Sequence, residues 1–114
     1  MIVRVNDIAP EEIMKPKNGI GKATKLAYDE ACKYSGSIRM MAMMSLDSDS
    51  TIGYHIHEED MEIYLILDGK PIVSDNGTEE ILNPGDMLIT EKGQGHSMSN
   101  KTNDPVTFLA IIIK

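Results

Sequence analysis

Apolar residues along this chain come in short runs, separated at brief intervals by Gly, Pro, Asn and Asp. The breaks include "PKNGIG", "YSGS", "DSDS", "LDGKP", "SDNG", "NPGD", "EKGQG" and "KTNDP". Glycine and proline interrupt regular structure, and short apolar runs between such breaks predict an all-β domain. The expected strands lie near 2–5, 22–28, 37–46, 51–57, 61–68, 70–74, 78–82, 86–90, 95–100 and 105–113. "ILDGKPIV" predicts a hairpin turning at Asp68-Gly69, and "VSDNGTEEI" predicts a second at Asn76-Gly77. In both, the turn residues tolerate the positive φ that a tight hairpin needs. Only "KLAYDEACKY" offers a short helix. So many short strands with so little helix predict a sandwich or barrel.

The run "IRMMAMMSL" has methionine at positions 40, 41, 43 and 44. Strand alternation sends Arg39, Met41 and Met43 to one face and Met40, Ala42 and Met44 to the other. The pattern leaves open which face looks inward. Soft methionine side chains suit a strand that packs on both faces. The alternative is an oxidisable, methionine-lined pocket wall.

Composition narrows the class. With 114 residues the chain makes one domain, and 41% hydrophobic and 25% charged residues are ordinary for a globular protein. A formal net charge of −7 repels phosphate backbones and provides no basic patch for anionic lipid. No nucleic-acid or membrane partner is therefore expected. The apolar run "FLAIII" has the length of a buried strand, far short of a membrane span. The opening "MIVRVNDIAP" lacks the apolar core of a signal peptide, and Cys32 is a lone cysteine, so a cytoplasmic protein is expected.

The chemistry concentrates in three histidines. In "GYHIHEEDMEIYLILDG", His55 and His57 are two apart, so in a strand their imidazoles project from the same face. "EED" reads as a solvated turn, and Glu62 opens the next strand with Tyr64 and Ile66 on its face. His96 lies in "GQGHSMSN", with Met98 and Asn100 on its face. Neutral imidazoles and an ionised carboxylate are natural ligands for a divalent first-row metal. Four such ligands would leave one or two positions open on a five- or six-coordinate ion, as catalytic metals require. Taken alone, H-x-H also occurs in strands that bind nothing, and Glu62 could be a surface carboxylate in an acidic run.

Spacing carries the pattern further. "GYHIHEEDMEIYLILDG" resembles the first cupin motif, with His55, His57, Glu62 and Gly69 at its positions, although Gly53 stands closer to His55 than the usual upstream glycine. "PGDMLITEKGQGHSMSN" resembles the second motif through Gly85, Gly93, His96 and Asn100, with Glu91 where the motif has proline. The resemblance covers roughly residues 37–113. It implies a single-domain cupin, a double-stranded β-helix or jelly-roll barrel. Residues 37–114 would form the barrel core, and residues 1–36 would add N-terminal strands and loops that complete the barrel or a homodimer. The ligand set carried over is His55, His57, Glu62 and His96, holding Mn, Fe, Ni, Zn or Cu. The run from "NGIGKATKLAYDE" through "IGYHIHEEDMEIYLILDGK" also resembles small cupins similar to oxalate decarboxylase.

Candidate pocket residues beside these ligands are Arg39, Met41, Tyr64, Ile66, Met98 and Asn100. An inward Arg39 could hold a substrate carboxylate bidentately. The implied function is an enzyme on a small oxygen-rich substrate (carboxylate, diketone, catechol or sugar-like), of the dioxygenase, decarboxylase or isomerase type. The alternative is a non-catalytic module that binds or senses a small ligand at the same site. No residue stands out as a proton donor for catalysis.

Overall fold

A computed structural model of the chain describes residues 1–34 and 36–114. It contains two antiparallel sheets. The larger has the order β1-β2-β3-β10-β5-β8, built from Glu11–Met14, Lys22–Ala27, Ile38–Leu46, Val106–Ile113, Met61–Asp68 and Met87–Thr90. The smaller has the order β4-β9-β6-β7, built from Ser50–Ile56, Gly95–Asn100, Ile72–Asp75 and Thr78–Ile81. This is the expected all-β cupin architecture. None of the described helices is long and apolar enough to cross a membrane.

Several local expectations change. Residues near 2–5 do not form a strand; Val5–Asp7 is a short 3-10 turn with no buried residue. The edge strand β1 appears instead at Glu11–Met14, where mostly exposed residues left no alternating signal. The helix α1 is confined to Asp29–Tyr34, because Lys25–Ala27 pair with Ala42–Met44 of β3 and stay extended. The Asn76-Gly77 hairpin forms between β6 and β7, with φ of 49° and 103° at its two turn residues. The Asp68-Gly69 turn is not a hairpin, since β5 and β6 belong to different sheets. Gly69 supplies φ 92° so that the chain can cross from one sheet to the other.

Between the sheets lies a core of alternating inward residues. Leu46, Ile66, Val106 and Phe108 of the large sheet are fully buried against Val73 and Met98 of the small one. Burial of a phenylalanine such as Phe108 contributes about 2–3 kcal/mol. On β3, Ala42 and Leu46 are buried and Met40 and Met44 pack against the core, so the even-numbered methionines face inward. Met41 and Met43 face the opposite side, in two apolar cross-strand rows. One row is Leu26, Met43, Leu109, Leu65 and Met87, and the next is Met41, Ile111, Ile63 and Ile89.

Asn100 ties one end of the barrel together. It is completely buried, and its amide nitrogen donates to the carbonyls of Leu46, Asp47 and Asp104 at 3.0, 3.2 and 2.8 Å. Its amide oxygen accepts from the Thr102 backbone N–H at 3.0 Å and the Thr102 hydroxyl at 2.6 Å. Both polar ends of this side chain are thereby satisfied inside the protein, as buried polar groups must be.

Candidate metal centre

A bulge decides which way the histidines point. Early in β4, Ile52 pairs with Met98 and is buried facing inward. By His55 the register with β9 has slipped by one residue, so that His55 pairs with His96. Without the slip, alternation from Ile52 would send positions 54 and 56 inward. An extra residue on one strand reverses its facing, so His55 and His57 turn in while Tyr54 and Ile56 are exposed. Gly53 lies within the bulge and lets the Lys17 backbone approach it. A Cβ there would sit 2.1 Å from the carbonyl oxygen of Lys17.

The four proposed ligands converge across the two sheets. One donor atom from each of His55, His57, Glu62 and His96 lies within 4.8 Å of every other. The Nε2 atoms of His57 and His96 are 3.0 and 3.1 Å from Glu62 Oε1. His96 Nε2 is 3.1 Å from the Nε2 of both His55 and His57. Three of the four residues are buried and His55 is half-buried.

Each outer ring nitrogen has its own partner. His55 Nδ1 lies 2.7 Å from the Gly53 carbonyl, His57 Nδ1 2.8 Å from Asp60 Oδ1, and His96 Nδ1 2.7 Å from Thr90 Oγ1. A carbonyl and a carboxylate only accept, so in the neutral rings of His55 and His57 the proton sits on Nδ1. Their Nε2 lone pairs therefore face the centre, together with the Glu62 carboxylate. Of the three rings only His96 could bring an Nε2 proton to that centre, and the Tyr64 hydroxyl reaches the Glu62 carboxylate alone, so the lone pairs of His55 and His57 share at most one proton. The cluster is short of donors. A divalent cation would complete it, and the nitrogen and oxygen donor set suits a transition ion.

Second partners of ligating histidines fix ring orientation and raise basicity. Asp60 has this place for His57 and is held in turn by Arg39, whose Nη1 is 3.0 Å from Asp60 Oδ2. Burial lowers the proton affinity of His55 from its ordinary value, against the pull of its Gly53 hydrogen bond, and so favours the neutral ring. Tyr64 stacks on His96 with centroids 4.6 Å apart. Burial, and then the nearby Glu62 carboxylate, push the Tyr64 phenol well above its ordinary range, so it stays protonated.

A cavity of about 400 Å³ opens onto this cluster. Met40, Met44, Ile52, Phe108 and Ile112 supply an apolar wall, and Glu11, Lys17 and Lys25 supply its charges beside the ligands. Of the six pocket candidates, Tyr64 lines this cavity. Arg39 and Met41 do not, because the inward positions of β3 are the even-numbered ones. Ile66 and Met98 are closed into the core, and Asn100 is consumed by its clamp. Sequence reasoning placed Asp60 in a solvated turn, yet its side chain is only 11% exposed. Its position three residues after His57 was the available signal. Thr90 and Lys17 were also missed. Thr90 ends a strand with no polar pattern, and Lys17 reaches the cavity only through the fold of its loop.

Comparison with known proteins identifies the family. A family model described as a cupin domain matches residues 42–112. The chain belongs to the cupin family. It is 35% identical to an oxalate-binding protein of Thermotoga maritima over 113 residues, covering 99% of this cupin and 93% of that protein. A crystal structure of a predicted oxalate decarboxylase from Thermotoga maritima superposes with a TM-score of 0.91 at 36% identity, covering 99% of this chain and 98% of the other. A sugar phosphate isomerase of the cupin superfamily from Silicibacter pomeroyi superposes with a TM-score of 0.81 at 21% identity, covering 100% and 76%. That last likeness extends to the fold alone.

Proposed function

We propose that this cupin holds a divalent transition-metal ion on His55, His57, Glu62 and His96 and uses it to bind a small dicarboxylate of the oxalate type. The observation that carries the reading is the donor-poor cluster, in which three acceptor atoms face one centre at the end of a cavity. With three neutral imidazoles and one carboxylate, a divalent ion keeps a net charge of about +1, which favours an anion in its open positions. When bound, the ion supplies positive charge and coordination sites for two carboxylate oxygens. The chain's own residues orient the ligands, wall off water with methionine and phenylalanine, and limit ligand size. The 35% identity to an oxalate-binding protein across nearly the whole chain supports oxalate as the first ligand to try.

Binding is favoured over turnover by the lining itself. Apart from the proposed metal ligands, the titratable groups on the cavity wall are Glu11, Lys17, Lys25 and Tyr64. Glu11, Lys17 and Lys25 are half-buried or exposed, and Tyr64 holds its proton too firmly to give it up easily. Titration calorimetry of metal-loaded protein with oxalate tests the reading. Saturable binding that disappears on metal removal is expected, and loaded protein that ignores oxalate would refute the ligand. Carbon dioxide release from oxalate would move the reading to an enzyme.

The homodimer belongs with this reading, through the outer face of the large sheet. The two apolar rows, of five and four residues on strands ~4.8 Å apart with same-face positions ~6.8 Å apart along each, spread roughly 290 Å² of flat apolar projection. A standard interface takes about 800 Å² from each partner, so these rows supply roughly a third of one. The occupant is a second copy, sheet against sheet. Light scattering should give twice the 12.6 kDa chain mass, and Ile111→Lys should halve it. A monomeric wild type would remove the dimer.

A further inference from the structure

The loop between β1 and β2 is bound tightly to β4 and bent in an unusual way. Lys15, Lys17 and Asn18 all have left-handed backbones, with φ of 49°, 50° and 62°. Side chains with a Cβ adopt that region reluctantly, and it persists only where surroundings enforce it. Here the surroundings are backbone to backbone. A Cβ on Gly19 would sit 2.2 Å from the Thr51 carbonyl oxygen, besides the clash already described at Gly53. Thr51 N–H donates to the Ile20 carbonyl at 2.8 Å, the Ile20 N–H to Thr51 Oγ1 at 2.8 Å, and the Lys22 N–H to Ser50 Oγ at 3.0 Å. Pro16 is buried in the same contact.

This loop joins the β4 bulge that aims the histidines. It places Pro16 and Lys17 on the wall of the cavity that holds His55, His57 and Glu62. Among the described residues, Lys17 has no ion-pair partner. Lys25, the other cavity cation, lies on β2 opposite Glu11 and shares the lining with that carboxylate.

Oxalate chelates a metal with one oxygen from each carboxylate and leaves two oxygens facing away. We propose that Lys17 is the second anchor of the ligand: its ammonium pairs with the outward oxygens of the metal-held dicarboxylate and sets the preference for dicarboxylates over monocarboxylates. This assignment rests on the metal and ligand reading above. The backbone of loop 15–19 acts as the positioning device, because its left-handed turns and the two close glycines hold the Lys17 backbone beside the cavity.

The test is calorimetry of manganese-loaded wild type, Lys17→Met, Lys17→Gly, Lys17→Arg and Lys25→Met with oxalate and with acetate, with metal content measured on each sample. Lys17→Met should keep its metal and lose roughly tenfold or more in oxalate affinity, as expected for a charge-assisted hydrogen bond. Acetate affinity should hardly change. Lys17→Gly, which suits the left-handed backbone, should lose oxalate equally and so exclude misfolding as the cause. Lys17→Arg should recover most of the loss, and Lys25→Met, whose residue lies opposite Glu11, should lose less than Lys17→Met. Undiminished oxalate binding in Lys17→Met and Lys17→Gly would overturn this inference alone. Metal-loaded wild type that binds no oxalate would overturn it together with the ligand reading.

Discussion

Two buried polar clusters share strand β9, and they differ in one respect. At one end of β9, Asn100 gives its amide protons to three carbonyls and takes two hydrogen bonds from Thr102. Four residues earlier on the same strand, His96 meets His55, His57 and Glu62. Both clusters are buried and both join separate segments of the chain. The first closes on itself, with both polar ends of Asn100 bonded inside the protein. The second cannot close, because its lone pairs exceed its protons. A polar cluster that balances is structure; one that lacks donors has the composition of a cation site.

Removing the closed cluster should have the largest effect on folding. Asn100→Ala removes the side-chain donor from the buried Leu46 carbonyl and the partly buried Asp47 and Asp104 carbonyls, and the acceptor from the Thr102 backbone N–H, which costs about 3 kcal/mol or more. For a domain of this size the melting temperature should fall by roughly 12 °C or more. Metal bound per folded molecule should stay the same, as thermal melts and metal analysis on the surviving protein will read. A variant that kept its stability would show that the clamp is dispensable.

Asp60→Ala attacks the open cluster from behind. It frees the outer nitrogen of His57, and metal affinity should drop by roughly 10- to 100-fold, the usual range for such supporting partners. Competition with a coloured chelator measures this, and affinity equal to wild type would sink the orienting role. Gly53→Ala strikes the bulge, where a Cβ would meet the Lys17 carbonyl oxygen at 2.1 Å. It should cost roughly 1–3 kcal/mol of stability and weaken metal and oxalate binding together. If binding survived intact, the bulge would not be what aims the histidines. Arg39→Gln is the mildest change. The arginine touches Asp60 and no ligand, so about a threefold loss of metal affinity is expected, well below that of Asp60→Ala. A larger loss than for Asp60→Ala would mean that Arg39 acts by another route.

Much of the site was legible because its residue types are rare in this chain. Three histidines and a carboxylate at motif spacing stood out against an otherwise ordinary composition. Strand parity placed His55 and His57 on one face without saying which, since the one-residue slip that turns them inward shows only in the pairing with β9. The same ambiguity made Met41 a pocket candidate when Met40 and Met44 are the methionines that line the cavity. Arg39 was singled out for a substrate carboxylate and instead holds a carboxylate of its own chain. Lys17 left no pattern, because a strained loop has no period. Its place depends on Gly19 and Gly53 approaching the backbone of distant residues. Periodic segments announce themselves; contacts between loops and strands far apart in sequence do not.

The most direct test of the account is a metal analysis of protein prepared without a histidine tag, with His96→Ala and Glu62→Gln beside it. The donor-poor cluster predicts about one transition-metal ion per wild-type chain, and loss of that ion in both variants while the β fold persists. A wild type that is free of metal and takes up none of manganese, iron, nickel, zinc or copper would contradict it.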